Sequence, residues 1–349
     1  MKYPRDRVHL KNLSLPQLEA FVISLGGKPF RARQLAQWLY ARGARSFKEM
    51  TNLAGAFRNL LEEKAWISYL EPAEVQASRD GTRKYRFLLD DGEAIESVLI
   101  PERDHLTLCL STQVGCAMGC RFCLTGKRGF LRDLEPFEII DQIIGVRATL
   151  PPDSKLTNLV LMGMGEPLEN FQNVLAALEV IRSPLGLQFS NRRVTISTAG
   201  IIPRMAELFS RPHFVQLAVS LNASTDEQRS ELMPINRRYP LRDLLAACRK
   251  LPLANREKVT FEYVLIKGVN DSEEDALRVA RLLRGMPAKI NLIAFNPHPK
   301  SPHQRPEEGV VHKFREVLMA KGFTTVIRQS KGVDIQAACG QLGGPVKGS

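Results

Sequence analysis

The sequence predicts an α/β chain: an incomplete (β/α)6 barrel preceded by a small helical domain and a short antiparallel β linker. Three observations predict it. From about residue 106, β-rich apolar runs alternate with helical stretches, the pattern of parallel βαβ units. Residues 1–69 carry helical periodicity instead. Between the two regions, Asp80-Gly81 and Asp91-Gly92 punctuate short β-rich runs, which is hairpin chemistry.

The boundaries follow at 1–69, 70–105 and 106–349. In the first region Ser14 is positioned to cap a helix that opens at Leu15-Pro16 and closes at Gly26-Gly27. A second helix runs through Arg31–Tyr40. Its Arg31 and Arg33, with Arg42, Arg45 and Lys48 beyond it, are candidates for phosphate contact, although a solvated helix face has the same pattern. In the barrel region strands are expected at 107–112, 157–162, 193–198, 215–221, 258–266 and 289–295, with an extension near 323–328. Helices are expected at 135–149, 170–183 and 272–284.

The 349 residues carry a formal charge of +12. Residues 1–70 hold 12 Lys and Arg against 5 Asp and Glu, so +7 of that excess sits in one fifth of the chain. A polyanionic partner, nucleic acid above all, is favoured over a small neutral one. Hydrophobic content of 44% argues against global disorder. Met1–Arg7 has no apolar core of a leader, and no run of 18 apolar residues occurs. A soluble cytoplasmic protein is therefore expected.

Cys116, Cys120 and Cys123 fall within eight residues, spaced C-x3-C-x2-C. Thiolates suit zinc, copper or iron–sulfur clusters. A closed zinc site wants four ligands, and no fourth cysteine is adjacent. Three thiolates on a [4Fe–4S] cluster leave one iron open to a small molecule. The alternative is a zinc site completed by a distant side chain. Cys248 reads as a buried core thiol within a helical pattern, whereas Cys109 and Cys339 are left open between further metal ligands and inert thiols.

Catalytic groups of β/α barrels collect at the carboxyl ends of the strands. The loop Met162-Gly163-Met164-Gly165-Glu166-Pro167 follows the second strand. Ser197 ends the third, Ser220-Leu221-Asn222 the fourth and Asn296 the sixth. The glycines permit close backbone approach to a ligand, and Glu166 can accept hydrogen bonds from an ammonium.

The cysteine spacing resembles that of the radical S-adenosylmethionine (SAM) superfamily. Gln113-Val114-Gly115-Cys116, Met162–Pro167, Arg193–Thr198, Leu232-Met233-Pro234-Ile235-Asn236 and Ala337-Ala338-Cys339-Gly340-Gln341-Leu342 together resemble the RlmN/Cfr family of RNA methyltransferases. The resemblance implies a radical SAM barrel, one [4Fe–4S] cluster on Cys116, Cys120 and Cys123, and two SAM per turnover. The cluster would cleave SAM to a 5′-deoxyadenosyl radical. It implies that Cys339 carries the methyl group as S-methylcysteine, that Cys109 forms a transient disulfide with it, and that Glu96 is an acid–base residue. Gly165, Glu166, Ser197, Ser220, Leu221, Asn222 and Asn296 match SAM-contacting positions. Asn222 departs from the family, in which histidine is common there. The RlmN branch implies methylation of adenine C2 in 23S rRNA, at the peptidyl transferase centre, and in tRNA beside the anticodon. It further implies a flavodoxin-like electron donor and a monomer. A Cfr-like C8 activity, a different radical SAM enzyme acting on a small molecule, and a non-catalytic zinc RNA-binding protein are the competing readings.

Overall fold

The computed structural model describes residues 6–211, 215–254 and 257–343. Part of the amino-terminal stretch read above for a leader, Met1–Arg5, lies outside these residues. A ten-stranded mixed sheet organises the chain. Its strands are β1 (Pro72–Ala77), β2 (Arg83–Leu88), β3 (Ala94–Pro101), β4 (Leu106–Cys109), β5 (Leu156–Leu161), β6 (Val194–Thr198), β7 (Gln216–Ser220), β8 (Val259–Leu265), β9 (Ala288–Ala294) and β10 (Thr324–Ile327). They lie side by side in chain order. From β4 to β10 every pairing is parallel, as right-handed β–α–β connections require. The first three pairings are antiparallel. The antiparallel linker expected from the sequence is continuous with the barrel sheet, joined to it through β3 and β4. Both linker turns carry left-handed φ at Gly81 and Gly92 alone, so Asp80 and Asp91 keep ordinary φ.

The helices are α1 (Leu15–Ser24), α2 (Phe30–Ala36), α3 (Gly55–Lys64), α4 (Leu124–Arg128), α5 (Pro136–Arg147), α6 (Phe171–Arg182), α7 (Ile202–Phe209), α8 (Asp226–Leu232), α9 (Leu241–Arg249), α10 (Glu273–Leu282) and α11 (Glu308–Ala320). Ser14 caps α1 through a reciprocal pair with Gln17. The second helix does not run regularly to Tyr40. It widens into a π-turn over Gln37–Ala41, which seats Trp38, Leu39 and Tyr40 in the core together.

Helix α5 is buried from Phe137 to Val146, although an amphipathic helix was expected there. The cause is the helical domain, which covers its outer face. Lys11 Nζ reaches Asp141 Oδ1 at 2.5 Å, and both side chains are fully buried. Ser68 Oγ donates to the other carboxylate oxygen at 2.6 Å. Burial raises the Asp141 carboxyl above its ordinary range, and Lys11 opposes that rise. Asn12 adds a bond from Nδ2 to Glu135 Oε2 at 2.5 Å. The basic helical region is therefore fixed on the barrel by specific polar contacts.

Candidate active site

The carboxyl ends of β4 to β9 converge on two adjoining cavities. Cys116, Cys120 and Cys123 line the first, with Gly165, Glu166, Ser197, Ser220, Asn222 and Asn296. Leu221 matches a ligand position, but it is fully buried and does not line this cavity. Cys109 and Cys339 both line the second, a space of about 380 Å³, within the roughly 300–1,000 Å³ of small-ligand sites. The first is narrower, about 150 Å³. Cys123, Met162, Gly163, Ile293, Asn296, Cys339 and Gly340 border both, so Cys339 stands in the partition. Cys248 is buried in α9 and lines neither cavity.

The cysteine loop has its shape for local reasons. Gly115 has φ +77, and a Cβ there would lie 1.8 Å from the Gly129 carbonyl oxygen. That oxygen accepts the Cys116 N–H at 2.9 Å. Gly115→Ala therefore combines about 1–2 kcal/mol of left-handed strain with a steric clash at the first cysteine. Reconstituted protein carrying this change is expected to retain far less iron per chain than wild type; equal iron content would contradict the reading of this loop.

Gly163 and Gly165 line the first cavity, and each has a second use within the fold. A Cβ at Gly163 would lie 2.7 Å from the Leu110 carbonyl oxygen, and one at Gly165 2.6 Å from Gln113 Cβ. The two motif loops pack directly on each other. Gln113 Oε1 accepts the Glu166 N–H at 2.9 Å, and its Nε2 donates to Asp133 at 2.8 Å.

Glu166 is nearly inaccessible. Its carboxylate accepts the backbone N–H groups of Ala199 (2.7 Å) and Leu168 (3.0 Å). Burial nevertheless pushes its pKa up to about 7, and these bonds offset only part of that. Asn222 sits at φ +56, a region that asparagine tolerates better than most residues. Its Oδ1 accepts the Val264 N–H at 2.8 Å and its Nδ2 lies 3.3 Å from Met233 Sδ. Its carbonyl accepts Asn270 Nδ2 at 2.8 Å and its N–H donates to the Glu262 carbonyl at 3.4 Å, so side chain and backbone are both tied into the fold. Asn296 Nδ2 donates to the Cys339 carbonyl at 3.1 Å.

Glu96 on β3 lines neither cavity. Its Oε1 lies 3.7 Å from Lys84 Nζ, and its Oε2 accepts the Gly343 N–H at 2.7 Å. Strand alternation puts it on the face of Val98 and Ile100, which do line the second cavity. Gly343 of the carboxyl-terminal segment covers it.

Three residues at the site carried no usable signal in the sequence. Glu262, within β8, lines the first cavity and accepts from Ser197 Oγ at 3.0 Å. Arg328, just past β10, lines the second and reaches Glu262 Oε1 at 3.4 Å. Arg229 is fully buried and donates to the carbonyls of Ala199, Ser220 and Leu221, tying the β6 and β7 loops together. Burial pushes the Cys109 thiol up to about 12, and Arg328 opposes it. A Glu inside a strand and an Arg beyond one are ordinary surface patterns in one sequence.

A separate cavity of about 490 Å³ lies at the opposite end of β8 and β9, lined by Lys258, Arg281, Arg284 and Lys321. Arg281, Arg284 and Lys321 sit at the carboxyl ends of α10 and α11, where cations answer the helix dipoles.

A parallel β/α sheet with three cysteines and a ligand rim at its carboxyl edge defines a radical SAM enzyme. The sequence model of the radical SAM superfamily matches residues 110–280, and that of the ribosomal RNA large subunit methyltransferase N-terminal domain matches residues 8–67. A radical SAM methyltransferase of Sphaerobacter thermophilus has the same fold, with TM-score 0.91 and 42% identity over 96% of this chain and 99% of that one. The chain belongs to the RlmN family. It is 52% identical to the dual-specificity RNA methyltransferase RlmN of Desulfosudis oleivorans, over 97% of this chain and 91% of the relative. It is 53% identical to that of Geobacter sulfurreducens, over 97% and 92%.

Radical SAM enzymes work with SAM and a [4Fe–4S] cluster, and the residues present fit both. Three thiols share one cavity wall, and a cluster takes each on a different iron. No group of three His, Cys, Asp or Glu side chains among the described residues converges on a single metal ion, and a cluster does not need one to. No helix among the described residues is long and apolar enough to cross a membrane.

Proposed function

We propose that this chain methylates C2 of adenosine in 23S rRNA and in tRNA, using Cys339 as the carrier of the methyl group. The observation that carries this reading is that Cys339 borders both cavities, with the cluster cysteines in one and Cys109 in the other. Adenine C2 lies between two ring nitrogens and is a poor nucleophile, so direct displacement on a SAM methyl is unpromising.

Cys116, Cys120 and Cys123 would hold the cluster, which supplies the single electron that turns SAM into a hydrogen-abstracting species. The chain's own residues do the rest. As a thiolate, Cys339 takes a methyl group from SAM by displacement, and S-adenosylhomocysteine leaves. One hydrogen atom leaves the S-methyl group to the SAM-derived species, its carbon joins C2, and the adduct gives up the C2 proton and one electron, the electron going back to the cluster that would have supplied it. The Cys109 thiolate then attacks the Cys339 sulfur and a disulfide forms. The pair of the broken sulfur–carbon bond stays on the carbon, which takes up a proton to become methyl, and the modified RNA departs. Cytosolic thiols then reduce the disulfide. Glu96 handles the C2 proton once Gly343 moves off its carboxylate. The target base enters the second cavity turned out of its stack. The basic helical domain contacts phosphates. Arg42 lies 4.2 Å over the Trp38 ring and Arg31 5.1 Å over Phe57, so stacking orients these two guanidinium groups. A flavodoxin-like donor and a monomeric, cytoplasmic enzyme complete the reading.

Glu166 pairs with the SAM ammonium in this scheme. With its carboxyl near pH 7 when free and lower when paired, SAM binding releases a proton. Affinity is then lost as pH falls. Equilibrium dialysis should find SAM bound roughly several-fold more weakly at pH 6 than at pH 7.5. Glu166→Gln should bind weakly at both, and an unchanged pH dependence in that variant would contradict the pairing.

The reading as a whole is tested by anaerobic incubation with SAM, a reductant and unmodified RNA, followed by nucleoside mass spectrometry. 2-Methyladenosine is expected. 8-Methyladenosine would move the chain to the Cfr branch, and no methyladenosine from a cluster-loaded enzyme that cleaves SAM would overturn the proposal.

A further inference from the structure

We propose that the β1–β2 turn, Ser78–Thr82, is a clasp that positions the Cys339 segment over the two cavities. The inference rests on Cys339 as the methyl carrier. The segment leaves β10, the last strand of the sheet, and returns to the turn between its first two strands. Asp80 Oδ2 accepts the Gly332 N–H at 2.9 Å. Asp334 accepts from Ser78 Oγ at 2.6 Å and from the Arg79 N–H at 3.3 Å. The fit is steric as well. Gly332 has φ +64, and a Cβ there would lie 2.9 Å from Thr82 Cγ2 and 2.8 Å from Ala337 Cβ. The far end is held separately. Leu124 N–H donates to the Gly340 carbonyl at 2.8 Å, and Thr125 Oγ1 to that of Leu342 at 2.8 Å.

Cys339 therefore lies between two anchors, one on the linker hairpin and one on the helix after the cluster cysteines. The two have different strengths by construction. The far anchor is largely buried, whereas the Asp334 bonds are exposed and the Asp80 bond to buried Gly332 is only half-buried. Exposed hydrogen bonds contribute less and exchange with water readily. The clasp is thus the end that can loosen while the segment stays attached. A residue that must meet SAM in one cavity and a base in the other needs such an arrangement. Ser78, Asp80 and Asp334 touch no reacting atom, so they are positioning residues.

Asp334→Ala and Asp80→Ala test the clasp, because Asp334→Ala leaves the hairpin's own bonds intact. In cluster-free protein, deuterium labelling of the Ile335–Ala338 amides, which bond within the segment and not to Asp80 or Asp334, should speed up about tenfold in both variants when read by peptide mass spectrometry. In loaded enzyme, methyladenosine formed per 5′-deoxyadenosine should fall about tenfold, with the KM for SAM changed less than about twofold. Asp80→Asn, which keeps one carbonyl acceptor, should recover part of the loss. Unchanged labelling and coupling in Asp334→Ala would overturn the proposal, as would an equal loss of SAM binding. If wild type makes no methyladenosine while labelling still accelerates, the clasp stands and the proposed function fails.

Discussion

Cys109→Ala should accept a methyl group on Cys339 and then stop with protein and RNA covalently joined. The reason is positional. Cys109 and Cys339 line the same cavity, and among the described residues the other cysteine bordering that space, Cys123, belongs to the cluster set. Without the Cys109 sulfur, nothing placed there can take the bond that Cys339 must release. Free modified RNA should fall on the order of 100-fold or more in multiple turnover, because residues that act as a unit fail as a unit. Denaturing gels should show an RNA-dependent shift of the protein band that ribonuclease removes. Wild-type rates of free product from this variant would contradict the role. Cys339→Ala should form neither adduct nor product, while SAM cleavage persists.

Lys11→Met is expected to cause the largest stability change of a single substitution outside the barrel core. It leaves the Asp141 carboxylate fully buried without its cation. Removing one partner of a buried pair typically costs about 3–5 kcal/mol, a large part of the roughly 5–15 kcal/mol available to a folded domain. Urea denaturation should show the loss as a lowered midpoint. Lys11→Met combined with Asp141→Leu should recover most of it, since two apolar side chains leave no orphaned charge. A single variant as stable as wild type would mean that the helical domain is held by apolar contacts alone.

The parallel part of the fold was legible because seven β-rich runs recur between helical stretches, and each appears as a strand within a few residues of its expected bounds. Placing the motif loops at the carboxyl ends follows from that alternation. Features depending on distant partners were not legible. Asp80 and Gly332 meet across about 250 residues, and nothing in Asp80-Gly81 signals more than a turn. Lys11 and Asp141 look like surface charges until the helical domain buries them. Gly163 and Gly165 were legible as glycines required by close approach, and both line the first cavity; that their missing side chains also make room for Leu110 and Gln113 was not legible. Glu96 shows the limit of resemblance. The motif assigns it chemistry, and the structure places it under Gly343, one step behind the cavity wall.

The central claim is that the transferred carbon passes through Cys339. The most direct test loads the enzyme with an unlabelled S-methyl group on Cys339, removes free SAM, and starts one turnover on RNA with SAM whose methyl carbon is ¹³C. Mass spectrometry of the first equivalent of methyladenosine should find the unlabelled carbon, with ¹³C entering only in later turnovers. ¹³C in the first equivalent would mean that the methyl group reaches RNA directly from SAM, and that the place of Cys339 between the two cavities has another purpose.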